Sequence, residues 1–201
     1  MQEKFYKIIG GKMSKTAVLI YDSFCNFEIS VALEILALNN RKIIIFAKDT
    51  EVVISEEGLK ILPDKSIYDI DIGEFDSLLL PGAADIEAAV EDQEIIEFIK
   101  KFNGKIVGAI SIAPILLLKA GILKSKPFMA GVNKIELLEE GFLESDLTEM
   151  KDWDECIENP IEEGYLNSEN ILTSVSYNFV RFGIQFAKML GIEISPKSFG
   201  I

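Results

Sequence analysis

The stretch from Lys105 to Ala120, KIVGAISIAPILLLKA, constrains the fold more than any other part of the chain. A β-branched run passes through small residues to Ser111, and a helix-like apolar block begins just after Pro114. Proline is favoured in the first turn of a helix because the N–H that it lacks would be unpaired there. The pattern therefore predicts a strand that turns sharply at Ser111 into a helix. A serine at such a turn either projects beside the positive end of a helix dipole, where α/β enzymes place nucleophiles, or merely caps the helix. The residues of this stretch leave both interpretations open.

Apolar runs alternate with helix-like segments along the rest of the chain, and this alternation predicts a doubly wound parallel α/β sheet sandwiched by helices. Continuous apolar runs such as TAVLI are typical of parallel strands that are covered on both faces. The predicted strands are 16–20, 42–47, 76–80, 106–110 and 170–175, and residues 52–62 are expected to form a small hairpin or excursion. The predicted helices are 27–38, with Asn26 as its N-cap, 92–102 and 178–190.

The length of 201 residues is sufficient for one domain with a full core. We expect a single α/β domain over residues 15–201, preceded by an N-terminal arm over residues 1–14 that lacks the apolar core of a secretory signal. Residues 135–163 interrupt the alternation with short helical or irregular pieces. They hold twelve acidic side chains against the single cation Lys151, so we expect an acidic insertion within the domain.

Charge and hydropathy exclude two classes of partner. The net charge is −13, of which the acidic insertion carries −11. Because such a surface repels phosphate backbones, nucleic acid is not an expected partner. The longest uncharged run, 106–118, is too short to span a bilayer, so no membrane association is expected.

The chain contains no histidine and only two cysteines, Cys25 and Cys156. The missing histidine excludes every Ser-His-Asp triad, every Cys-His pair and every histidine-ligated metal site. Two cysteines do not make a disulfide framework and fit a reducing cytoplasm. Neither of the glycine-rich phosphate motifs occurs, so no nucleotide cofactor is expected.

Three loops should converge at the carboxyl ends of the strands, where doubly wound sheets bind ligands: 21–27, 81–85 and 111–114. Glu28 lies in the first turn of the helix that follows the first of these loops, and it falls on the apolar face of that helix. A carboxyl group on a buried helix face needs a partner or a raised pKa. It either stabilises the helix dipole at the rim of the core or points into the pocket beside Ser111.

Four segments, IYDSFCNFEISVALEIL, EFDSLLLPGA, KIVGAISIAPILLLKAGIL and NILTSV, resemble the ThiJ/PfpI family of the class I glutamine-amidotransferase-like superfamily. They occur in the order and spacing of that family over roughly residues 16–190. The resemblance implies a flavodoxin-like sandwich with a cysteine nucleophile at an elbow and an acid from the first helix. By position the nucleophile falls on Ser111 and the acid on Glu28, and the oxyanion donors would be the backbone N–H groups of Ile112 and Ala83.

The chain departs from the family pattern where the chemistry should lie. Ser111 replaces the elbow cysteine, Ala83 replaces the second glycine of Pro-Gly-Gly, and Ile112 stands where protease-type members have histidine. A serine hydroxyl needs a base, whereas a cysteine is partly thiolate at neutral pH. Glu28 is a weak base unless burial raises its pKa.

These departures favour a degenerate family member that binds a small polar or carbonyl-containing ligand without catalysis. The alternative is a slow amidase-like or esterase-like hydrolase that uses Ser111 with Glu28. The resemblance also implies a homodimer.

Four further residues are candidates for the pocket lining: Cys25, Gly82, Ser176 and Tyr177. Cys25 is either a substitute thiol or, more commonly for a loop cysteine, a small buried side chain. Cys156 is interpreted as structural or incidental. Asp152 and Asp154 superficially suggest calcium, but the glycine and the terminal glutamate of an EF-hand loop are missing, so a solvated acidic face is expected.

Overall fold

The computed structural model describes residues 15–201, and the predicted N-terminal arm over residues 1–14 lies outside this range. The strands are β1 (Lys15–Leu19), β2 (Ile43–Ala47), β3 (Val53–Ile54), β4 (Lys60–Ile61), β5 (Lys65–Ser66), β6 (Phe75–Leu80), β7 (Ile106–Ile110), β8 (Phe128–Met129), β9 (Met150–Lys151), β10 (Leu166–Ser168) and β11 (Ile171–Ser174). The helices are α1 (Asn26–Leu38), α2 (Glu87–Glu91), α3 (Gln93–Lys100), α4 (Pro114–Lys119), α5 (Lys134–Glu139), α6 (Glu144–Leu147), α7 (Trp153–Glu158) and α8 (Phe179–Met189).

The main sheet has the strand order β10-β11-β7-β6-β1-β2-β5. Its strands pair in parallel except at one edge, where β10 runs antiparallel to β11. The chain moves in one direction from β1 to β2 and in the other from β6 to β7. Because crossovers between parallel strands are right-handed, this reversal puts α1 and α3 on opposite faces of the sheet. The predicted doubly wound α/β sandwich is confirmed, with an antiparallel edge strand that was not predicted.

The core lies on both faces of this sheet. One layer is formed by α1 and α8, which pack against each other, and the other by α2, α3 and α4. The central strands are apolar along their whole length because both of their faces are covered: Leu78, Leu79 and Leu80 of β6 are all fully buried. The side chains of Phe182 and Phe186 reach β7 at Gly108, where an added Cβ would lie 2.7 Å from the Phe186 ring.

The predicted hairpin forms between β3 and β4, which pair antiparallel. This hairpin also corrects the prediction that Asn26 caps α1. The cap position is Cys25, which makes no side-chain cap hydrogen bond. Instead the carboxylate of Glu57, in the hairpin turn, accepts the N–H groups of Phe27 at 3.1 Å and Asn26 at 3.3 Å. An acid that is distant in sequence therefore accepts the first N–H groups of the helix, in place of a local side chain.

The acidic insertion, residues 135–163, forms short helices around the small parallel pair β8–β9. Asp152 is the N-cap of α7 and forms a capping box with Glu155, which explains the acidic DWDE motif structurally. No helix within residues 15–201 has the length and apolar character needed to cross a bilayer.

Candidate functional site

Ser111 occupies the sharp turn between β7 and α4 with a φ of 62°, in the left-handed region. A non-glycine residue in this region costs roughly 1–2 kcal/mol, so the surrounding structure must hold it there. The Ser111 N–H donates to the carbonyl of Ser174 at 2.8 Å, and the Ser111 carbonyl accepts the N–H of Gly131 at 2.7 Å. The helix-capping interpretation is wrong, since the N-cap position of α4 is Ala113 and no side chain caps it.

Glu28 lies on the first turn of α1 and is only 2% exposed. Its Oε2 accepts the backbone N–H of Gly82 at 2.7 Å. Burial raises the pKa of Glu28 to about 7, and the negative charges of Glu56 and Glu57 act in the same direction. Hydrogen bonds from the Gly82 N–H and the Ser111 hydroxyl lower this pKa but do not offset the burial. Near neutral pH the carboxyl group is therefore present in both protonation states beside Ser111.

The three predicted loops meet around Gly82. The Cys25 N–H donates to the Gly82 carbonyl at 2.8 Å, and the Ala84 N–H donates to the Ser23 carbonyl at 3.0 Å. A Cβ added at Gly82 would lie 2.6 Å from the Ser111 Cβ and 2.7 Å from the Glu28 Oε2. Only glycine leaves room for the serine and the carboxyl group to approach each other at this point.

Ile112 directly follows Ser111, and Ala83 directly follows Gly82. Both residues are half-buried. Within residues 15–201 their backbone N–H groups donate to no protein acceptor. Half-buried N–H groups without a partner are available to an oxygen atom of a bound molecule.

Cys25 is buried next to Glu28, but its environment does not favour a reactive thiolate. Burial raises the pKa of the thiol far above its usual range. A hydrogen bond of 2.7 Å from the Cys25 Sγ to the Glu56 carboxylate is the second-largest cause of this rise. The negative charge of Glu28 adds to this effect. A thiol held in its protonated form is a poor nucleophile, so a buried structural cysteine is the better interpretation.

The structure separates the two remaining pocket candidates. Ser176 lines a cavity of about 230 Å³ together with Gly131 and Trp153, and this cavity adjoins the Ser111 turn through Gly131. Tyr177 turns away and packs edge-on against Trp153, with a ring-centroid distance of 5.7 Å. Its hydroxyl donates to the carbonyl of Cys156 at 3.0 Å. Cys156 is fully buried, and burial raises its pKa to about 11, in keeping with the structural interpretation.

Three residues at the site carry no functional prediction from the sequence. Glu56 and Glu57 reach it from the β3–β4 hairpin, and Gly131 reaches it from the segment after β8. No local pattern in the sequence marks these residues, since each contacts the site only through the tertiary fold.

A model of the DJ-1/PfpI family matches residues 14–188. The Bacillus subtilis (strain 168) protein YraA, whose name proposes a cysteine protease, is 34% identical over 117 residues, 56% of this chain and 68% of that protein. Protein/nucleic acid deglycase 2 of Escherichia coli (strain K12) is 31% identical over 120 residues, 58% of this chain and 70% of that protein. The crystal structure of the DJ-1 superfamily protein Atu0886 from Agrobacterium tumefaciens superposes with a TM-score of 0.75 at 19% identity, over 93% of this chain and 94% of that one, and shows the same fold. Since the family model spans most of the chain, the protein belongs to the DJ-1/PfpI family.

Proposed function

We propose that this protein is a family member that binds a small polar or carbonyl-containing ligand at the Ser111 turn and does not turn it over. The main support for this proposal is that two backbone hydrogen-bond donors at the turn have no acceptor. The backbone N–H groups of Ile112 and Ala83 have no acceptor within residues 15–201, and Ile112 directly follows Ser111. A carbonyl or carboxylate oxygen would satisfy these donors.

Other residues of this chain argue against the cysteine chemistry that the name of one relative suggests. A deglycase, a glyoxalase and a proposed cysteine protease are among the relatives. In this chain the residue at the turn is a serine, Ser111, and the sequence contains no histidine. The raised pKa of the buried Cys25 keeps that thiol protonated. The nucleophile therefore lacks both an intrinsically reactive atom and an imidazole base.

The pKa of Glu28, about 7, favours a second candidate function, a slow hydrolase. A base with a pKa near the working pH is well matched to proton transfer. In this reaction the ionised Glu28 would take the Ser111 proton as Oγ forms a bond to a substrate carbonyl carbon. The Ile112 and Ala83 N–H groups would stabilise the oxyanion, and the bond to the leaving group would break as that group takes the proton from Glu28. A water molecule would then attack the acyl group, giving a proton to Glu28, and the Ser111 Oγ would leave with that proton as the acid is released.

Acylation distinguishes the two functions. The protein is incubated with an activated ester and weighed intact by mass spectrometry, alongside Ser111→Ala and Glu28→Gln. The binding proposal expects no adduct on Ser111. An adduct that is absent from Ser111→Ala and forms much more slowly in Glu28→Gln would establish the hydrolase instead.

Binding itself is tested by NMR with a panel of small aldehydes, amides and carboxylates. Shifts of the Gly82, Ala83 and Ile112 amide signals are expected, and Ser111→Cys should retain them because the donors of the turn are unchanged. Glyoxal consumption that appears in Ser111→Cys would show that the nucleophile is the missing part of the family chemistry. A panel that leaves these three amides unmoved would contradict the proposal.

The cytoplasmic location and the homodimer remain parts of this proposal. Light scattering on the purified protein tests the homodimer directly, with a mass of twice the 22.4 kDa chain expected.

A further inference from the structure

A second cavity, separate from the Ser111 turn, opens at the same edge of the sheet. Its volume is about 490 Å³, within the range of small-molecule sites. Residues that follow β1 form one wall and residues that follow β2 form another, while α2 and α3 close the far side. This is the carboxyl edge of a doubly wound sheet, close to the point where the strand order reverses between β6 and β1, and such edges favour ligand binding.

The floor of the cavity is apolar and well buried. Ile20, Ala47, Ala89 and Ile95 line it, and none of them is more than 5% exposed. Tyr21 also lines the cavity, and its hydroxyl donates to the carbonyl of Pro81, which directly precedes Gly82. A floor of this kind accommodates methylene groups rather than another charged surface.

The rim of the cavity is negative and has little internal compensation. Asp22, Asp49, Glu51 and Asp85 line it, and within residues 15–201 none of the four forms an ion pair. The cation on the rim, Lys48, is already paired with Asp92 and Glu94. A ligand would therefore meet an excess of carboxylates above an apolar floor.

These carboxylates do not converge on one point. Over the described part of the chain, no group of three or more acidic or cysteine side chains is arranged to hold a metal ion. Separated carboxylates instead match positive charges that are spaced along a flexible molecule. We propose that this cavity binds a linear aliphatic amine with more than one positive charge, its methylene groups lying on the apolar floor and its ammonium groups at the carboxylates of the rim.

Calorimetric titration of the full-length protein with spermidine tests the proposal, at low and at physiological ionic strength. Binding is expected at both, and more weakly at the higher ionic strength because salt screens the rim charges. The double variant Asp22→Asn/Asp85→Asn should bind about tenfold more weakly, since it removes two charge contacts. In the wild type, Asp22 accepts the N–H of Ile54 and Asp85 accepts the N–H of Glu87, each through its Oδ1. Asparagine also has an Oδ1, so both hydrogen bonds can be kept in the variant.

A matched control separates this cavity from the general acidity of the protein. Glu139→Gln/Glu144→Gln removes the same charge from exposed positions of the acidic insertion and should leave spermidine affinity unchanged. Ala88→Phe adds a ring at an exposed lining position of α2 and should abolish binding. The proposal is overturned if spermidine does not bind, if the two double variants weaken it equally, if Ala88→Phe binds normally, or if magnesium chloride of the same ionic strength produces the same heats.

Discussion

The strained backbone conformation of Ser111 places its side chain in the candidate site. A left-handed φ of 62° turns the side chain out of the sheet, and hydrogen bonds to both the N–H and the carbonyl hold it in place. Beside it, the buried Glu28 has a pKa near neutrality because its carboxylate exchanges water for only a few protein donors. Each of these properties has a direct thermodynamic consequence.

Ser111→Gly should be more stable than Ser111→Ala by about 1 kcal/mol, because both variants lose the hydroxyl but only alanine keeps the left-handed strain. Denaturant unfolding measures the difference. At Ala37, in the last turn of α1, the effect should have the opposite sign, with Ala37→Gly less stable than the wild type by about 0.5 kcal/mol. Equal stabilities of the two Ser111 variants would show that the turn relaxes when the hydroxyl is removed.

The Glu28 carboxyl group should make stability depend on pH. Its pKa is about 7 in the folded protein against 4.5 ordinarily, so between these values the folded state holds a proton that the unfolded chain has released. Its contribution to stability is complete below this window and is lost as the pH rises through it. The free energy of unfolding of Glu28→Gln, relative to the wild type, should therefore rise by about 3 kcal/mol from acid to mildly alkaline pH. Glu34→Gln, on the exposed side of the same helix, removes the same charge and serves as the control.

At the scale of elements, the β3–β4 hairpin does more than connect two strands. It brings Glu57 to the N-terminus of α1 and Glu56 to the thiol of Cys25. Burial alone would raise the pKa of Glu57, but hydrogen bonds from Ser55 and from the N-terminal N–H groups of α1 outweigh it, and the pKa is lowered. The hairpin thereby sets both the start of α1 and the electrostatic surroundings of Glu28.

Glu57→Ala should destabilise the protein by about 1 kcal/mol, the usual cost of losing an N-terminal cap acceptor. Glu57→Gln should cost less, because one amide oxygen can still accept an N–H group although the charge is lost. Denaturant unfolding at neutral pH compares the two variants. The cap assignment is wrong if both variants unfold like the wild type.

At the scale of the whole molecule, the charge is distributed very unevenly. Residues 135–163 carry −11 of the net −13, and most of these acids are exposed on short helices. Uncompensated charge of one sign destabilises a compact state through self-repulsion, and salt screens that repulsion.

Raising the ionic strength should therefore raise the melting temperature by roughly 2–4 °C, equivalent to about 1 kcal/mol for a chain of this size. Replacing Glu139, Glu140, Glu144 and Glu149 with glutamine should reduce this gain, since all four are exposed acids of the insertion. Differential scanning calorimetry over a series of sodium chloride concentrations makes the comparison. A melting temperature that does not respond to salt would contradict this account.

The sequence by itself determined the sandwich, the order of its main elements, the turn at Ser111 and the burial of Glu28. Continuous apolar runs, a proline after the turn and the position of an acid on a helix face are local patterns, and local patterns can be read along the chain. Only the tertiary structure decided that Gly82 lets Ser111 approach Glu28, that Glu57 rather than Asn26 caps α1, and that Tyr177 faces Trp153 instead of the turn. These outcomes depend on contacts between segments that are distant in sequence. Packing and desolvation act on the atoms that the fold brings together, so the pKa of Glu28 and the shapes of the cavities follow from the assembled molecule alone.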